Sequence, residues 1–272
     1  MKLELKKFDP SKIAGDSVVV FIGKRNTGKS YCMKDILSFH RTIPIGIVIS
    51  PTEKANGYFE KFIPKMLLYD EPEEKTIKTF LERQMNISKE KKLESSKYGK
   101  STIDNRAFLI LDDCLYDDSW SRTKPIRNIF MNGRHYKIMF FLTMQYPLGV
   151  PPALRSNIDY TIIMREPYIS NRKKIYENFA GMFPDFGMFC QVMDSLQKHE
   201  CLILNNNSDT NKLEDQVYWY KADMRENFKV GSKQYWDYHY KNYNKIKEKR
   251  TNKTVDQIQK RGKYTIDINK QN

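Results

Sequence analysis

The segment SVVVFIGKRNTGKS, residues 17–30, decides the fold of this 272-residue chain. Its first part, Val18–Ile22, is a continuous apolar run of the kind that forms a buried parallel strand. Gly23 opens and Ser30 closes a complete G-x-x-x-x-G-K-[ST] motif, and a helix over Gly28–Phe39 is predicted to follow. The glycines let backbone N–H groups wrap a phosphate, and the helix N-terminus adds positive potential. The segment therefore predicts an α/β protein with a phosphate-binding loop between a strand and a helix.

The same loop predicts nucleotide and metal ligands residue by residue. Lys29 is expected to reach the β- and γ-phosphates, and the Ser30 hydroxyl is expected to bind Mg²⁺. The alternative is a glycine-rich turn with an incidental lysine, which the flanking strand and helix argue against. We therefore predict ATP and Mg²⁺ as cofactors, with nucleotide contacts from the whole loop: Gly23, Lys24, Arg25, Asn26, Thr27, Gly28, Lys29 and Ser30.

A second apolar run, FLILDD at residues 108–113, ends in two acids. Downstream of a phosphate loop, such a strand is expected to carry the magnesium aspartate at its carboxyl end. Asp112 is therefore predicted to hold Mg²⁺, and Asp113 to polarise the attacking water. A helix cap or a turn is the alternative role for Asp113. An acid in this position favours water as the phosphoryl acceptor.

A third run, IMFFLTMQ at residues 138–145, predicts a strand that ends in a polar Thr-x-Gln beside the two acids. Gln145 is predicted to hydrogen-bond the γ-phosphate or the lytic water. Its alternative role is a polar strand end that faces solvent.

Several cations are candidates for an arginine finger, which neutralises charge that develops in the transition state. Arg134 lies just before the third run and is predicted to point toward a neighbouring subunit's nucleotide. Arg155 is a second candidate, and Lys24 or Arg25 of the phosphate loop would act in cis. A surface arginine without a catalytic role is the alternative for Arg134 and for Arg155.

The rest of the chain alternates apolar runs with helical patterns, which favours βαβ units and a largely parallel sheet. Short strands around residues 201–204 and 217–220 predict a C-terminal hairpin. Residues 87–106 are polar and rich in lysine, and we expect a long loop there.

The composition of the chain says more about its partners than about its fold. The net charge is +14, which favours a polyanionic partner, nucleic acid first and anionic lipid second. The last 32 residues hold ten Lys or Arg against three Asp or Glu, so half of this surplus lies in the tail. The apolar runs are far shorter than the roughly 20 residues of a membrane span, and neither a signal peptide nor a zinc or disulfide pattern is expected.

Together these motifs resemble the genome-packaging ATPases of large nucleocytoplasmic DNA viruses, the poxvirus-type group of the FtsK–HerA superfamily of P-loop DNA translocases. GKRNTGKS is similar to the family's phosphate loop, and FLILDD to its magnesium strand. The segments NGRHYKIMFFLTMQYP, LRSNIDYTIIMRE, HECLILNNN and VYWYKAD extend the resemblance over much of the chain. In one departure, Asp113 stands where many such translocases carry glutamate.

The resemblance implies a RecA-like P-loop NTPase core of the α/β class, with a mainly parallel sheet flanked by helices, a C-terminal hairpin and a basic tail. We expect an ATPase domain over residues 1–222, with the hairpin at about 200–221, and an aromatic, then basic extension over 223–272.

The implied function is an oligomeric, Mg²⁺-dependent ATPase that translocates double-stranded DNA into a viral capsid. The implied partners are duplex DNA of any sequence, further copies in a homo-oligomeric ring, and a capsid or portal-like component. The implied location is the viral factory in the host cytoplasm, or the virion.

The alternative functions are a helicase or DNA-remodelling ATPase, a nucleotide-dependent scaffold or switch without productive turnover, and a small-molecule phosphotransferase.

A motor that moves over any sequence should contact phosphates rather than bases. The candidate DNA contacts are Arg122, Lys124 and Arg127, the basic stretch Lys89–Lys100, and the tail. Each of these groups is equally consistent with a solvated face.

Overall fold

The computed structural model describes residues 3–114, 121–226 and 228–243. Within this part of the chain, nine strands form one sheet in the order β1-β9-β8-β7-β2-β6-β5-β3-β4. The strands are β1 (Lys6–Lys7), β2 (Val18–Ile22), β3 (Gly46–Ile49), β4 (Leu68–Tyr69), β5 (Ala107–Leu111), β6 (Ile138–Met144), β7 (Tyr160–Met164), β8 (Glu200–Asn205) and β9 (Val217–Lys221).

Helices flank the sheet and connect its parallel strands. They are α1 (Lys29–Phe39), α2 (Glu53–Asn56), α3 (Glu74–Tyr98), α4 (Lys124–Asn132), α5 (Pro152–Arg155), α6 (Ile169–Phe179), α7 (Phe186–Ser195) and α8 (Leu213–Gln216), and residues 233–243 are also helical. None of the helices in the described residues combines the length and apolar character needed to cross a membrane. The predicted α/β fold with a mainly parallel, helix-flanked sheet is confirmed.

The middle of the sheet is buried because its strands are almost entirely apolar. Every residue of β2, β5, β6 and β7 is buried, as expected for parallel strands covered by helices on both faces. Among the pairs of the sheet, β8 runs antiparallel to both of its neighbours, β7 and β9.

Register places the carboxyl ends of four strands at one edge of the sheet. Ile22 of β2 pairs with Met144 of β6, and Leu111 of β5 pairs with both Leu142 of β6 and Ile49 of β3. The segments that follow these residues therefore converge, and they include the phosphate loop, the two acids and the Thr-x-Gln sequence.

The long helix α3 contradicts the loop expected over residues 87–106, because the helix continues to Tyr98. The second half of α3 is held by polar contacts rather than by an apolar stripe. Asn105 Nδ2 donates to Ser88 Oγ at 3.2 Å, and Lys91 Nζ donates to Asn105 Oδ1 at 3.0 Å. The segment is rich in Lys, Glu and Ser and contains no Pro, so it can form a helix. It lacks the hydrophobic period by which a helix is predicted from sequence.

The segment after the hairpin packs on the core as far as it is described. Val230 N donates to Phe62 O at 2.9 Å, and Ser232 N donates to Pro44 O at 2.9 Å. Trp236 is buried and its Nε1 donates to Val230 O at 2.9 Å. The domain boundary at residue 222 stays a prediction, and the basic tail from residue 244 lies outside the described residues.

Candidate functional site

The phosphate loop, residues 23–30, joins β2 to α1 in a backbone conformation that depends on its glycines. Gly28 caps α1 with a φ of 95°, where a side chain would be strained. A Cβ on Gly23 would lie 2.6 Å from Met164 Cβ, closer than atoms can pack. Thr27 Oγ1 donates to Lys24 O at 2.7 Å and closes the loop. Asn26, exposed at the tip, also has a positive φ.

Lys29 is buried at the first position of α1, and its ammonium group points into the loop. Its Nζ donates to Gly23 O at 2.7 Å and to Lys24 O at 2.9 Å. Burial lowers the pKa of Lys29, while the nearby carboxylates of Asp113 and Asp112 raise it. The ammonium is thus held by two backbone carbonyls at the position where the motif requires a phosphate ligand.

Asp112 lies at the end of β5 among hydroxyl groups from three other segments. Its Oδ1 accepts hydrogen bonds from Thr143 Oγ1 at 2.9 Å and Ser30 Oγ at 3.3 Å, and its Oδ2 accepts one from Ser50 Oγ at 3.4 Å. Burial raises the pKa of Asp112, and Asp113 raises it further, while the hydrogen bonds from Thr143 and Ser30 lower it.

This donor set fits Mg²⁺, because hard carboxylate and hydroxyl oxygens are its preferred protein ligands. Asp112 and Ser30 are the residues that would hold the ion. Among the described residues, no cluster of three or more His, Cys, Asp or Glu could chelate a metal. Mg²⁺ in a nucleotide site needs only one or two protein carboxylates, because substrate phosphates and water complete its shell.

Asp113 and Gln145 meet at the mouth of the same cleft. Gln145 Nε2 donates to Asp113 Oδ1 at 3.0 Å, and Asp113 N donates to Thr143 Oγ1 at 2.9 Å. Asp113 also has a φ of 53°, in the left-handed region that Asp tolerates better than most residues. These contacts hold the carboxylate in one orientation beside the phosphate loop.

These residues surround a cleft of about 740 Å³ at the carboxyl edge of the sheet. Its wall is formed by Arg25, Asn26, Gly28, Lys29, Ser30, Tyr31, Pro51, Thr52, Asn56, Tyr58, Asp112, Asp113, Thr143, Gln145 and Tyr146. The structure thus brings Lys29, Ser30, Asp112, Asp113 and Gln145 together, as their positions after neighbouring strands predicted.

The sequence did not predict the part of the cleft wall that is formed by the segment after β3. Tyr58 OH donates to Ser30 O at 3.1 Å, which fixes the first turn of α1 from outside the loop. Buried Glu53 shapes this segment, because its carboxylate accepts from the backbone N–H groups of Tyr58, Phe59 and Glu60. The available signal was that Ser50 ends a strand parallel to β5, which places it beside Asp112.

A buried carboxylate on α1, also missed from sequence, anchors the phosphate-loop helix. Asp35 is 1% exposed and accepts hydrogen bonds from Tyr220 OH, from Asp223 N at 2.9 Å and from Arg225 Nε at 2.8 Å. The helix that positions Lys29 is therefore tied to β9 and to the segment after it.

Arg134, the predicted finger, does not lie at this cleft. It precedes β6 at the opposite edge of the sheet, and its Nη2 donates to buried Asp159 Oδ1 at 2.5 Å. The seven residues of β6 span about 20 Å. Arg134 is 63% exposed at this edge, and its action on a neighbouring subunit's nucleotide stays a prediction.

Two other finger candidates are held by contacts within the chain. Arg155 Nε donates to Val150 O at 2.8 Å, and its guanidinium lies 5.4 Å from the centre of the Phe179 ring. Lys24 Nζ lies 3.5 Å from Glu166 Oε1 and 3.2 Å from the centre of the Tyr168 ring, on the β7 side of the loop.

The candidate DNA contacts lie on exposed faces. Arg122, Lys124 and Arg127 are exposed at or just before α4, and Lys89–Lys100 covers the solvent side and the end of α3. The structure leaves their role open as a prediction.

The chain is similar to several viral proteins, although no family model matches it. Uncharacterized protein L437 of Acanthamoeba polyphaga mimivirus is 39% identical over 245 residues, which cover 89% of this chain and 85% of that protein. Uncharacterized protein 075L of Invertebrate iridescent virus 6 is 33% identical over 243 residues, 87% of this chain and 90% of that protein.

Solved structures share the fold at lower identity. B204, described as the DNA-packaging ATPase from Sulfolobus turreted icosahedral virus, superposes with a TM-score of 0.53 and 19% identity, covering 78% of this chain and all of B204. The pCW3 conjugation coupling protein TcpA superposes with a TM-score of 0.50 and 14% identity, covering 87% of this chain and 66% of TcpA. The fold is therefore that of α/β P-loop NTPases.

Proposed function

The chain belongs to the family of viral proteins that includes L437 of mimivirus and 075L of Invertebrate iridescent virus 6, and from this premise we propose that it is a genome-packaging ATPase. In this proposal, it hydrolyses ATP with Mg²⁺ to translocate double-stranded DNA into a capsid. The shared fold of B204 and TcpA, described as a DNA-packaging ATPase and a conjugation coupling protein, supports this class of motor.

One observation supports ATP hydrolysis: Thr143 is hydrogen-bonded to both acids of the cleft. Its hydroxyl contacts both Asp112 Oδ1 and Asp113 N at 2.9 Å, so metal aspartate and candidate base are held as one unit. A protein that only bound nucleotide would need the metal aspartate but no second acid positioned by Gln145. The arrangement favours hydrolysis over a passive switch.

In the proposed reaction, water attacks the γ-phosphorus while the bond from that phosphorus to the β–γ bridging oxygen breaks. Lys29 binds the phosphates, while Ser30 and Asp112 would hold Mg²⁺, which would neutralise charge on the phosphate oxygens when bound. Asp113 orients the water and accepts its proton, and Gln145 holds Asp113 until nucleotide arrives. ADP and phosphate are the products.

Duplex DNA of any sequence is the proposed partner, and a homo-oligomeric ring acting with a capsid or portal component is the proposed assembly. The net charge of +14 and the exposed basic faces support a polyanionic partner. We place the protein at the viral factory or in the virion, consistent with its viral relatives.

The test is the steady-state ATPase rate with and without long duplex DNA, measured beside the assembly state. We expect Mg²⁺-dependent turnover that two duplexes of unrelated sequence stimulate equally. Lys29→Ala should abolish turnover, and Asp113→Asn should bind ATP but hydrolyse it slowly. Lys61→Ala, at an exposed lysine outside the cleft, is the matched control and should match the wild type.

Each alternative predicts a different outcome. Absence of turnover in every assembly state would refute the ATPase and favour a nucleotide-dependent scaffold. Turnover without DNA stimulation would refute translocation, and strand separation would identify a helicase. Normal hydrolysis by Asp113→Asn would remove that residue as the base.

A further inference from the structure

The candidates for the arginine finger differ in the contacts that their side chains make. As described above, Lys24 and Arg155 make contacts within their own chain, and Arg134 is tied to Asp159 at the far edge of the sheet. Arg25, the third residue of the phosphate loop, is exposed and has no hydrogen bond or ion pair to any described residue.

Arg25 also stands apart by its position, because it lines the cleft together with Lys29 and Asp113. The two cations are close enough for the Arg25 charge to lower the pKa of Lys29, although burial is the larger cause. An unpaired guanidinium beside a buried ammonium is unfavourable by itself, so the pair is suited to a polyanion that contacts both.

Arg25 adds a second cation to the wall of the cleft. Among the described lining residues, the charged groups are Arg25, Lys29, Asp112 and Asp113. Without Arg25, the charged side chains of the wall would be one ammonium and two carboxylates, one of which would hold Mg²⁺. With Arg25, the wall is neutral and its positive groups come from one short loop.

We propose that Arg25 is the arginine that stabilises the transition state, acting in cis on the ATP bound by its own subunit. This inference rests on the proposed ATPase function. As water adds to the γ-phosphorus and the bond to the bridging oxygen breaks, negative charge grows on the γ and bridging oxygens. The Arg25 guanidinium, with several donors in one plane, neutralises that charge, while Asp113 accepts the proton of the water.

The first experiment separates turnover from nucleotide binding. Arg25→Ala should lower kcat by about a thousandfold or more, the usual effect of an arginine finger. Affinity for a non-hydrolysable ATP analogue should change only several-fold, because Lys29 and the loop backbone remain. Arg25→Lys should recover part of kcat. Arg41→Ala is the matched control, since Arg41 is an exposed arginine outside the cleft and should leave kcat unchanged.

The second experiment mixes two inactive variants to separate cis from trans action. A mixture of Arg25→Ala and Lys29→Ala should stay inactive, because no subunit carries both groups. If Arg25 acted on a neighbour, the intact Lys29 of one variant would be rescued by the Arg25 of the other. Rescue in this mixture would therefore overturn the cis assignment.

Failure of the inference is distinguishable from failure of the proposed function. A wild-type protein without ATPase activity would refute the function itself. A wild-type protein with activity, beside an Arg25→Ala variant within twofold of its kcat, would refute only the role of Arg25. An Arg25→Ala variant that keeps basal turnover and loses only DNA stimulation would make Arg25 a DNA contact, which also overturns the inference.

Discussion

The Thr143 hydroxyl is the most informative group to remove, because it contacts both acids of the cleft from a fully buried position on β6. Thr143→Val keeps the shape and removes the hydroxyl. It deletes one hydrogen bond to an ionised carboxylate, about 1.5–3 kcal/mol, and one to a backbone N–H, about 0.5–1.5 kcal/mol. The expected loss of stability is therefore about 2–4 kcal/mol, or a fall in Tm of roughly 5–15 °C for a domain of this size.

The neighbouring strand offers a matched control. Thr161 on β7 is equally buried, but its hydroxyl has no hydrogen-bond partner. Thr161→Val removes an unsatisfied polar group, which costs about 1–3 kcal/mol in the native state, so this variant should be more stable than the wild type. The two threonine-to-valine changes are thus expected to shift Tm in opposite directions, which calorimetry measures directly.

Function adds a second readout for Thr143→Val. The Thr143 hydrogen bond lowers the pKa of Asp112, so its removal should raise that pKa further. The acid limb of the ATPase pH profile should then move to higher pH, and the variant should need more Mg²⁺. Thr143→Ser keeps the hydroxyl and should keep the wild-type profile. Unchanged Tm and an unchanged acid limb in Thr143→Val would refute the role assigned to this contact.

Two further predictions concern buried carboxylates. Burial raises the pKa of Asp112, so its charge destabilises the native state above that pKa and the penalty disappears as pH falls through it. Asp112→Asn should therefore raise Tm at neutral pH while abolishing hydrolysis, and the Tm difference should vanish below about pH 4. An equal or lower Tm at pH 7 would contradict this sign. Asp35→Ala leaves the buried Tyr220 hydroxyl without its acceptor and frees a partly exposed Arg225. We expect a loss of about 2–3 kcal/mol in urea unfolding, and a change under 0.5 kcal/mol would count against the anchor.

Local sequence was sufficient for the parts of the site that are contiguous. The eight residues of the phosphate loop carry their own signal, because glycine spacing and the flanking strand and helix are read along the chain. The apolar strands β2 and β5, and the mainly apolar β6, were predictable for the same reason. Their polar ends then identified Asp112, Asp113 and Gln145, since parallel strands bring their carboxyl ends to one edge.

The hydrophobic period did not predict the part of α3 that is held by polar contacts instead of an apolar stripe. The second half of α3 lacks a hydrophobic period, and its stability depends on Ser88 and Lys91 contacting Asn105. Those partners are 14 to 17 residues apart along the chain, well beyond the three or four residues that separate neighbours on one helix face.

Only the tertiary structure decided how the site is held together and which cation faces it. The link between Thr143 and Asp112 spans 31 residues, and that between Asp35 and Arg225 spans 190. Such pairs depend on strand order and register, which residue pattern alone leaves undetermined. For the same reason, the sequence predicted several arginines without ranking them by position, whereas the sheet places Arg134 at one edge and Arg25 in the cleft at the other.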